Sequence, residues 1–203
     1  MHSEILTEKQ RNLLPLVAHF RKDFGLVGGT AVALHIGHRE SIDFDMFSKE
    51  RFSNIALRRK IERMRRIDTE LVNKETEFTF LIDSVKFTFF QYPFDIDFSM
   101  RFETIARIPT LLTLAAMKIY ALAHRAKWKD YVDLYFILRD YHQLPEIVRE
   151  AENIFGDSFN PKLIRQQLSY FKDINYDEPV TFMPGFEVSE KEIKNKLTEF
   201  SLS

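Results

Sequence analysis

The spacing of hydrophobic and polar positions in this chain changes near residue 108. Before it, short apolar runs typical of strands alternate with amphipathic helical stretches. After it, apolar positions recur every three or four residues almost to the end. The pattern predicts an α+β fold, with a sheet flanked by helices over residues 1–108 and a helical region over residues 109–203. We expect these ranges to form two domains.

Hydrophobic periodicity and turn residues predict most of the individual elements. The predicted helices of the first half cover residues 3–24, 30–36 and 53–66, and the predicted strands cover residues 26–27, 41–47, 67–72, 77–82 and 85–90. Pro15 is expected to break or bend the first helix, and Asp83 and Ser84 are expected to form a turn. Residues 92–110 are expected to form an irregular connection. The predicted helices of the second half cover residues 111–126, 128–141, 144–155, 161–170 and 187–200.

Composition restricts the classes of function. The chain has 203 residues, of which 45% are hydrophobic, and its formal net charge is -1. No overall field therefore attracts it to nucleic acid or to a membrane, so such binding needs a local patch. The absence of cysteine excludes disulfides, thiol catalysis and thiolate zinc sites. The charged N-terminus lacks the apolar core of a secretory signal, and we expect a cytoplasmic protein with no membrane partner.

Two acidic residues lie two positions apart in the predicted strand 41–47. Because side chains alternate along a strand, Ser41, Asp43 and Asp45 share one face, and the apolar positions between them, beginning with Ile42, are expected to be buried. Two such carboxylates can bind one divalent cation, and oxygen ligands favour Mg²⁺ or Mn²⁺ over Zn²⁺. A D-x-D pair is also typical of a strand whose polar face only meets water.

A glycine turn precedes this strand. Gly28 and Gly29 allow the backbone to approach a ligand closely, and a helix that begins there offers free N–H groups to a phosphate. Thr30 can cap that helix or donate its hydroxyl to a phosphate oxygen. The alternative is a tight turn that only joins strand to helix. The G-K-[ST] ending of a P-loop and the G-x-G-x-x-G of dinucleotide folds are absent, so both are excluded.

Other charged residues each allow two interpretations. Arg39 can hold a triphosphate or form an ordinary surface ion pair. Lys118, beside carboxylates in a cleft, would stay charged and contact phosphates, although most lysines are solvated or ion-paired. Asp130 and Asp133 are expected in the first helical turn, where the helix dipole alone favours acids. The basic residues at positions 58, 59, 60, 63, 65 and 66 indicate either a solvated helix face or contacts with RNA phosphates.

The motifs occur in a recognisable order. G-G-T is followed by H-R-x-S-x-D-x-D, and later by M-K-I-Y-A-L, Arg125 and K-D-Y-V-D-L. This combination resembles the polymerase-beta-type nucleotidyltransferase superfamily. More narrowly, it resembles the AbiEii/AbiGii toxin family, which includes nucleotidyltransferase toxins of abortive-infection and type IV-like toxin–antitoxin systems. The resemblance implies a nucleotidyltransferase-type sheet flanked by helices.

The resemblance also implies roles for individual residues. The turn at residues 28–30 would bind a nucleoside triphosphate, and Ser41 would line the same strand face as the acids. Arg39, from its position just before Ser41, is a further candidate for this nucleotide site. Asp43 and Asp45 would hold catalytic Mg²⁺ or Mn²⁺ ions. Lys118 would contact phosphates or stabilise developing charge, and Asp130 would orient Lys118 or complete the site.

One feature of the superfamily is missing. A third carboxylate usually comes from a later central strand, but the candidate strand at residues 85–90 contains no acidic residue. Asp95 and Asp97 lie beyond it and could substitute only if the chain folds back.

The function implied is transfer of a nucleoside monophosphate from a nucleoside triphosphate to an acceptor, either RNA such as tRNA or a protein. The resemblance also implies a cognate antitoxin as partner. The missing acid leaves open a catalytically impaired nucleotide- or partner-binding module on the same fold. A metal-dependent phosphohydrolase with water as acceptor is a third interpretation.

Overall fold

The computed structural model describes residues 1–202 of the chain, which form eight α-helices and seven β-strands. The helices are α1 (Glu8–Phe20), α2 (Gly28–Ile36), α3 (Asn54–Glu62), α4 (Leu111–Leu122), α5 (Trp128–Asp140), α6 (Leu144–Phe155), α7 (Pro161–Leu168) and α8 (Glu190–Ser201). The strands are β1 (Gly25–Val27), β2 (Asp43–Ser48), β3 (Thr69–Lys74), β4 (Glu77–Ile82), β5 (Val85–Gln91), β6 (Met100–Phe102) and β7 (Ala106–Ile108). The predicted α+β class is confirmed.

Five strands form the central sheet in the order β1-β2-β5-β4-β3. Only β2 and β5 run parallel, while the other neighbouring pairs are antiparallel. A parallel pair needs a long crossover, and here α3, β3 and β4 supply it. The parallel pairing matters for the site because it sets Asp43 beside Lys86 and Asp45 beside Thr88.

The two faces of this sheet differ in chemistry. One face is a buried aromatic layer, in which Phe44 aligns with Phe87 and Phe80. On the same face, Phe20 of α1 packs edge-on against Phe89, with ring centroids 5.1 Å apart. The opposite face, here called the cleft face, carries Asp43, Asp45, Phe47, Lys86, Thr88, Phe90, Thr79 and Glu77. The buried layer fixes the strands, and the cleft face is left for polar side chains.

Several predicted helix boundaries differ from the structure, among them those of α1 and α4. α1 begins at Glu8 because Thr7 forms a capping box with Gln10, and it continues through Pro15 without a break. Pro15 is exposed, so the hydrogen bond it lacks lies on the solvent side, while the opposite apolar side is packed. α4 ends at Leu122 rather than at residue 126, so Arg125 lies beyond the helix.

Strand boundaries also differ. β2 begins at Asp43, so Ser41 lies just before the strand and Ile42 is 49% exposed instead of buried. The prediction for Ile42 was wrong because strand alternation does not extend to it. The predicted irregular connection contains the hairpin of β6 and β7. The turn at Asp83 and Ser84 is confirmed, and both residues have positive φ angles, 53° and 68°.

The helical half packs directly against the site-bearing half. α2 contacts both α4 and α5, and a backbone bridge joins Arg39 to Phe182. Contacts therefore cross residue 108, and the division into domains of residues 1–108 and 109–203 stays a prediction. None of the helices within residues 1–202 has the length and apolar character that a membrane crossing requires.

Candidate active site

A cleft of about 610 Å³ lies between the cleft face of the sheet and the helical half. Residues from both halves of the chain line it, including one side of α4 and the segment that leads into α5. Eight of the predicted site residues line this one cleft: Gly28, Gly29, Arg39, Ser41, Asp43, Asp45, Lys118 and Asp130. The two sequence blocks, which are about 90 residues apart, thus meet in space.

The glycine turn lies against the carboxylate strand. Gly28 has a φ of 71°, and a Cβ atom there would lie 2.1 Å from Asp45 Oδ2. A Cβ atom on Gly29 would lie 2.6 Å from Arg39 Nη2. Both positions therefore exclude any larger residue unless these site groups move. The turn places the first N–H groups of α2 next to Asp45.

Thr30 holds the glycine turn in place from its buried side and does not line the cleft. It lies inside α2, whose N-cap residue is Val27, so it does not cap the helix as predicted. Its hydroxyl donates to the Asp43 backbone carbonyl and lies 2.9 Å from Ser41 Oγ. Thr30 is 2% exposed, and these hydrogen bonds of its hydroxyl tie the glycine turn to the start of β2.

The carboxylate pair has a lysine beside it. Lys86 Nζ lies 2.7 Å from Asp43 Oδ2. Burial and the adjacent charge of Asp43 raise the pKa of Asp45, and the charge of Lys86 only partly opposes this rise. The positions of β5 that face these acids are occupied by Lys86 and Thr88, so neighbouring β5 supplies no third carboxylate. Asp95 pairs with Lys49 at 2.9 Å and is not among the residues that line the cleft.

The chemistry of the pair fits a hard divalent cation. Asp43 and Asp45 offer only oxygen donors, which Mg²⁺ and Mn²⁺ prefer. Burial and the charge of Asp43 together raise the pKa of Asp45, and a cation between the two carboxylates would favour the ionised form. Within residues 1–202, no group of three or more His, Asp or Glu side chains is placed to hold a metal ion. Two protein carboxylates are thus the donor set available here.

A buried charge network supports Lys118. Its ammonium lies 2.6 Å from Asp130 Oδ1 and 2.6 Å from Asp133 Oδ2. Burial alone would lower the pKa of Lys118, but the charges of Asp130 and Asp133 outweigh burial and raise it. Lys118 is therefore charged at neutral pH, as the sequence predicts for a lysine beside carboxylates.

Asp133 is the centre of that network. Arg39 binds it with two donors, Nε at 2.7 Å and Nη2 at 2.8 Å, and His38 Nε2 lies 2.8 Å away. Burial would raise the pKa of Asp133, but the charges of Arg39 and Lys118 hold it well below its usual value. Arg39 is only 1% exposed, so its ion pair is buried and not a surface pair.

Asp133 lies deeper in α5 than the sequence predicts. It lies in the second turn of α5, not the first, and is 0% exposed, so the helix dipole does not account for it. The available signal was its spacing of three from Asp130, which puts both acids on one helix side among residues predicted as core. A charge in such a stretch needs buried partners, and Arg39 and Lys118 provide them.

The mouth of the cleft carries further cations. Lys127 Nζ lies 2.7 Å and Lys129 Nζ 3.2 Å from Glu178, which comes from the segment before α8. Burial would raise the pKa of Glu178, but its hydrogen bond with Lys127 and the charge of Lys129 bring it to about 2. Arg125 Nε lies 3.5 Å from Asp130 Oδ2. Glu178 was not a sequence candidate because its partners are about 50 residues away.

Comparisons with known proteins agree with this geometry. Residues 16–181 match the family described as nucleotidyl transferase AbiEii toxin, type IV TA system. A protein of Aquifex aeolicus (strain VF5), with the name uncharacterized protein aq_aa25, is 30% identical over 205 residues, which cover 96% of this chain and 97% of that protein.

Two solved structures have a similar fold. MenT4, a nucleotidyltransferase toxin from Mycobacterium tuberculosis H37Rv, matches with a TM-score of 0.65 at 12% identity, over 95% of this chain and 80% of that chain. JHP933 from Helicobacter pylori matches with a TM-score of 0.57 at 15% identity, over 97% and 92%. At these identities the two structures support the fold alone. The sequence match over residues 16–181 shows that the chain belongs to the AbiEii family of nucleotidyltransferase toxins.

Proposed function

We propose that this nucleotidyltransferase moves a nucleoside monophosphate from a nucleoside triphosphate to an acceptor hydroxyl with Mg²⁺ or Mn²⁺ present. One observation carries the proposal: the glycine turn, the Asp43–Asp45 pair and Lys118 line the same cleft. Phosphoryl chemistry needs an anion cradle, a carboxylate pair and a fixed cation within reach of one substrate.

Each group has a separate task in this proposal. The N–H groups at the start of α2 and the ammonium of Lys118 bind the β- and γ-phosphates. Asp130 and Asp133 keep Lys118 charged and fixed, so it requires little reorganisation when the substrate binds. Asp43 and Asp45 would hold the divalent cation, which supplies charge neutralisation at the transferred phosphate and the leaving pyrophosphate.

The acceptor and the partners are part of the same proposal. RNA such as tRNA, or a protein, offers the hydroxyl that receives the nucleotide. Membership in a family of toxin–antitoxin systems supports a cognate antitoxin that binds this chain. We place the reaction in the cytoplasm, where nucleoside triphosphates are abundant.

A second candidate is a nucleotide- or partner-binding module with impaired catalysis. It is favoured by Lys86, whose ammonium is bound to Asp43, and by Thr88, which stands opposite Asp45 where an acid could otherwise lie. Under this alternative the cleft binds nucleotide but does not complete the transfer.

Incubation with each α-phosphate-labelled nucleoside triphosphate, together with total RNA or total protein and either metal, separates the candidates. Label on RNA or protein in a denaturing gel is the expected result. Release of free monophosphate without labelled macromolecule would instead indicate the phosphohydrolase. Nucleotide binding without turnover, across all triphosphates and acceptors, would indicate the binding module.

A further inference from the structure

Aromatic side chains continue the cleft beyond the carboxylate pair. Phe47 follows Asp45 by two positions on the cleft face of β2, and the strand register pairs it with Phe90 of β5. The Phe47 and Phe90 ring centroids are 5.4 Å apart, and the Tyr92 ring lies 5.0 Å from Phe47. All three rings are half-buried and line the cleft. Phe47, Phe90 and Tyr92 are called the aromatic floor below.

The glycine turn lies beside the carboxylate pair, and the aromatic floor lies beyond Asp45 along β2. β1 runs antiparallel to β2, so Gly25 pairs with Phe47, Val27 pairs with Asp45, and Gly28 continues away from Phe47. Phe47 lies about 6.6 Å beyond Asp45, since a strand rises about 3.3 Å per residue. A triphosphate held at the glycine turn, with its α-phosphate at the carboxylates, therefore directs its nucleoside over the aromatic floor.

A helix supplies a wall beside this floor. Tyr120 of α4 lines the cleft and stacks on Phe155, with ring centroids 4.1 Å apart. Within residues 1–202, neither the Tyr92 hydroxyl nor the Tyr120 hydroxyl has a hydrogen-bond partner. Burial raises the pKa of Tyr92, so this hydroxyl remains a neutral donor and acceptor. The wall and the floor enclose a space with aromatic surfaces and free polar edges.

One carboxylate stands at the edge of the floor. The register places Glu77 of β4 next to Phe90, and Thr79 Oγ1 donates to Glu77 Oε1 over 2.9 Å. No Lys, Arg or His within residues 1–202 forms a salt bridge with Glu77. A carboxylate can only accept hydrogen bonds, so it prefers a base edge with an amino group. Adenine, cytosine and guanine carry exocyclic amino groups, whereas uracil has none.

The geometry points to a nucleobase subsite in this chain: the base of the donor nucleotide stacks on Phe47 and Phe90, and its amino group donates to Glu77. The inference rests on the proposed function, because it takes the occupant of the glycine turn to be a triphosphate. It adds to that function the residues that bind the base and a ranking of substrates. Uridine triphosphate is the poorest donor of the four.

Binding of uncleavable nucleotides tests the subsite directly. Calorimetric titration with α,β-methylene analogues of the four nucleoside triphosphates is compared with inorganic tripolyphosphate, which has no base, in the presence of Mg²⁺. Base stacking on aromatic rings corresponds to about 5- to 150-fold in affinity. We expect wild type to bind the adenosine, cytidine or guanosine analogue at least about tenfold more tightly than tripolyphosphate, with the uridine analogue weakest.

Two variants and a matched control complete the test. Phe90→Leu should lose most of the nucleotide advantage and keep the tripolyphosphate affinity, which also reports that the variant is folded. Glu77→Gln should reduce the discrimination against uridine. Phe171→Leu replaces a half-buried ring that is not part of the cleft, and it should bind like wild type.

Each contrary result has a distinct meaning. Equal affinities for tripolyphosphate and all four analogues would overturn the subsite while leaving the proposed transfer intact. Unchanged nucleotide affinity in Phe90→Leu, with a raised KM for the acceptor, would also overturn it and assign the floor to the acceptor. If tripolyphosphate and nucleotides all fail to bind, or bind equally well to Lys118→Ala, the proposed function itself fails.

Discussion

Asp45 illustrates how a single site residue can oppose stability. Burial and the charge of Asp43 raise its pKa in the folded chain, so the ionised form destabilises the fold. This destabilisation is absent below the unfolded pKa of about 3.9, and it is complete above the raised folded pKa. Stability therefore falls as pH rises through that window. The unfavourable charge is retained in a cleft where a cation would offset it.

Replacement of Asp45 by Asn should stabilise the metal-free protein. The uncharged amide removes both the buried charge and its repulsion with Asp43, and we expect a gain of about 1 kcal/mol at neutral pH, or about 2–4 °C in Tm. Differential scanning calorimetry in EDTA measures the change, and the gain should disappear below about pH 4. A Tm at neutral pH equal to or below that of wild type would contradict the electrostatic explanation.

Replacement of Asp133, unlike that of Asp45, should destabilise the protein. Asp133→Ala leaves Arg39 and Lys118 as buried cations with too few partners, and we expect a loss of about 3–5 kcal/mol. Urea unfolding measures the loss, with Asp95→Ala as control, because Asp95 is 85% exposed and should change stability by less than about 0.5 kcal/mol. The lowered pKa of Asp133 means that its contribution is present above about pH 4 and is lost at lower pH. Equal stability of the two variants would show that the network is not structural.

At the scale of elements, the junction of β1 and α2 determines the phosphate cradle. Gly28→Ala adds a Cβ 2.1 Å from Asp45 Oδ2 at a φ of 71°. Gly185→Ala is a matched control, since Gly185 has a φ of 88° and nothing within 4 Å of the added Cβ. Both should lose about 1–2 kcal/mol from backbone strain in urea unfolding. Only Gly28→Ala should also lose tripolyphosphate binding, because its Cβ displaces the carboxylate.

Retained tripolyphosphate affinity in Gly28→Ala would indicate that the turn only connects strand to helix. That interpretation was left open by the sequence. The comparison with Gly185→Ala separates it from a general loss of stability.

The elements show which features the sequence could predict. The strand at residues 77–82 and the helix at residues 144–155 were predicted with the observed bounds, because alternation and helical periodicity are local signals. The parallel pairing of β2 with β5 was not predictable, because it depends on a crossover of about 40 residues. The contact between Asp43 and Lys86 follows from that pairing alone. The partners of Asp133 were missed for the same reason.

At the scale of the whole molecule, the net charge of -1 provides no overall field that would attract RNA. RNA binding therefore requires a local basic patch. Arg58 in α3 is paired with Glu62 and Glu70. The other residues of the run are exposed and form no ion pair within residues 1–202: Arg59, Lys60, Arg63, Arg65 and Arg66. If RNA is the acceptor, these five cations are the ones free to contact its phosphates, and Arg59 and Arg63 are chosen for the test.

Charge reversal tests that prediction. Arg59→Glu with Arg63→Glu should weaken RNA binding and reduce the salt dependence by about two counterions, because each arginine neutralises about one phosphate. Lys172→Glu with Lys191→Glu reverses two exposed lysines elsewhere and should leave the slope unchanged. Filter binding over a range of salt concentrations measures both. Equal affinities for the two double variants at low salt would eliminate Arg59 and Arg63 as RNA contacts.

The family assignment rests on the match over residues 16–181, whereas the arrangement of the site could be predicted only in part from the sequence. G-G-T, D-x-D and K-D are local motifs, and the predicted resemblance to AbiEii toxins is confirmed by the match over residues 16–181. Their meeting in one cleft depends on how the helical half packs on the sheet. Phe47, Glu77 and Glu178 carry no motif of their own, so only the fold reveals them.

We predict that Asp43 and Asp45 take part in nucleotide transfer at this cleft. The most direct measurement is label transfer from an α-phosphate-labelled triphosphate by Asp43→Ala and by Asp95→Ala, an aspartate outside the cleft. We predict that Asp43→Ala remains folded but loses transfer by at least about a hundredfold, while Asp95→Ala matches wild type. Transfer by Asp43→Ala at the wild-type rate would contradict the account.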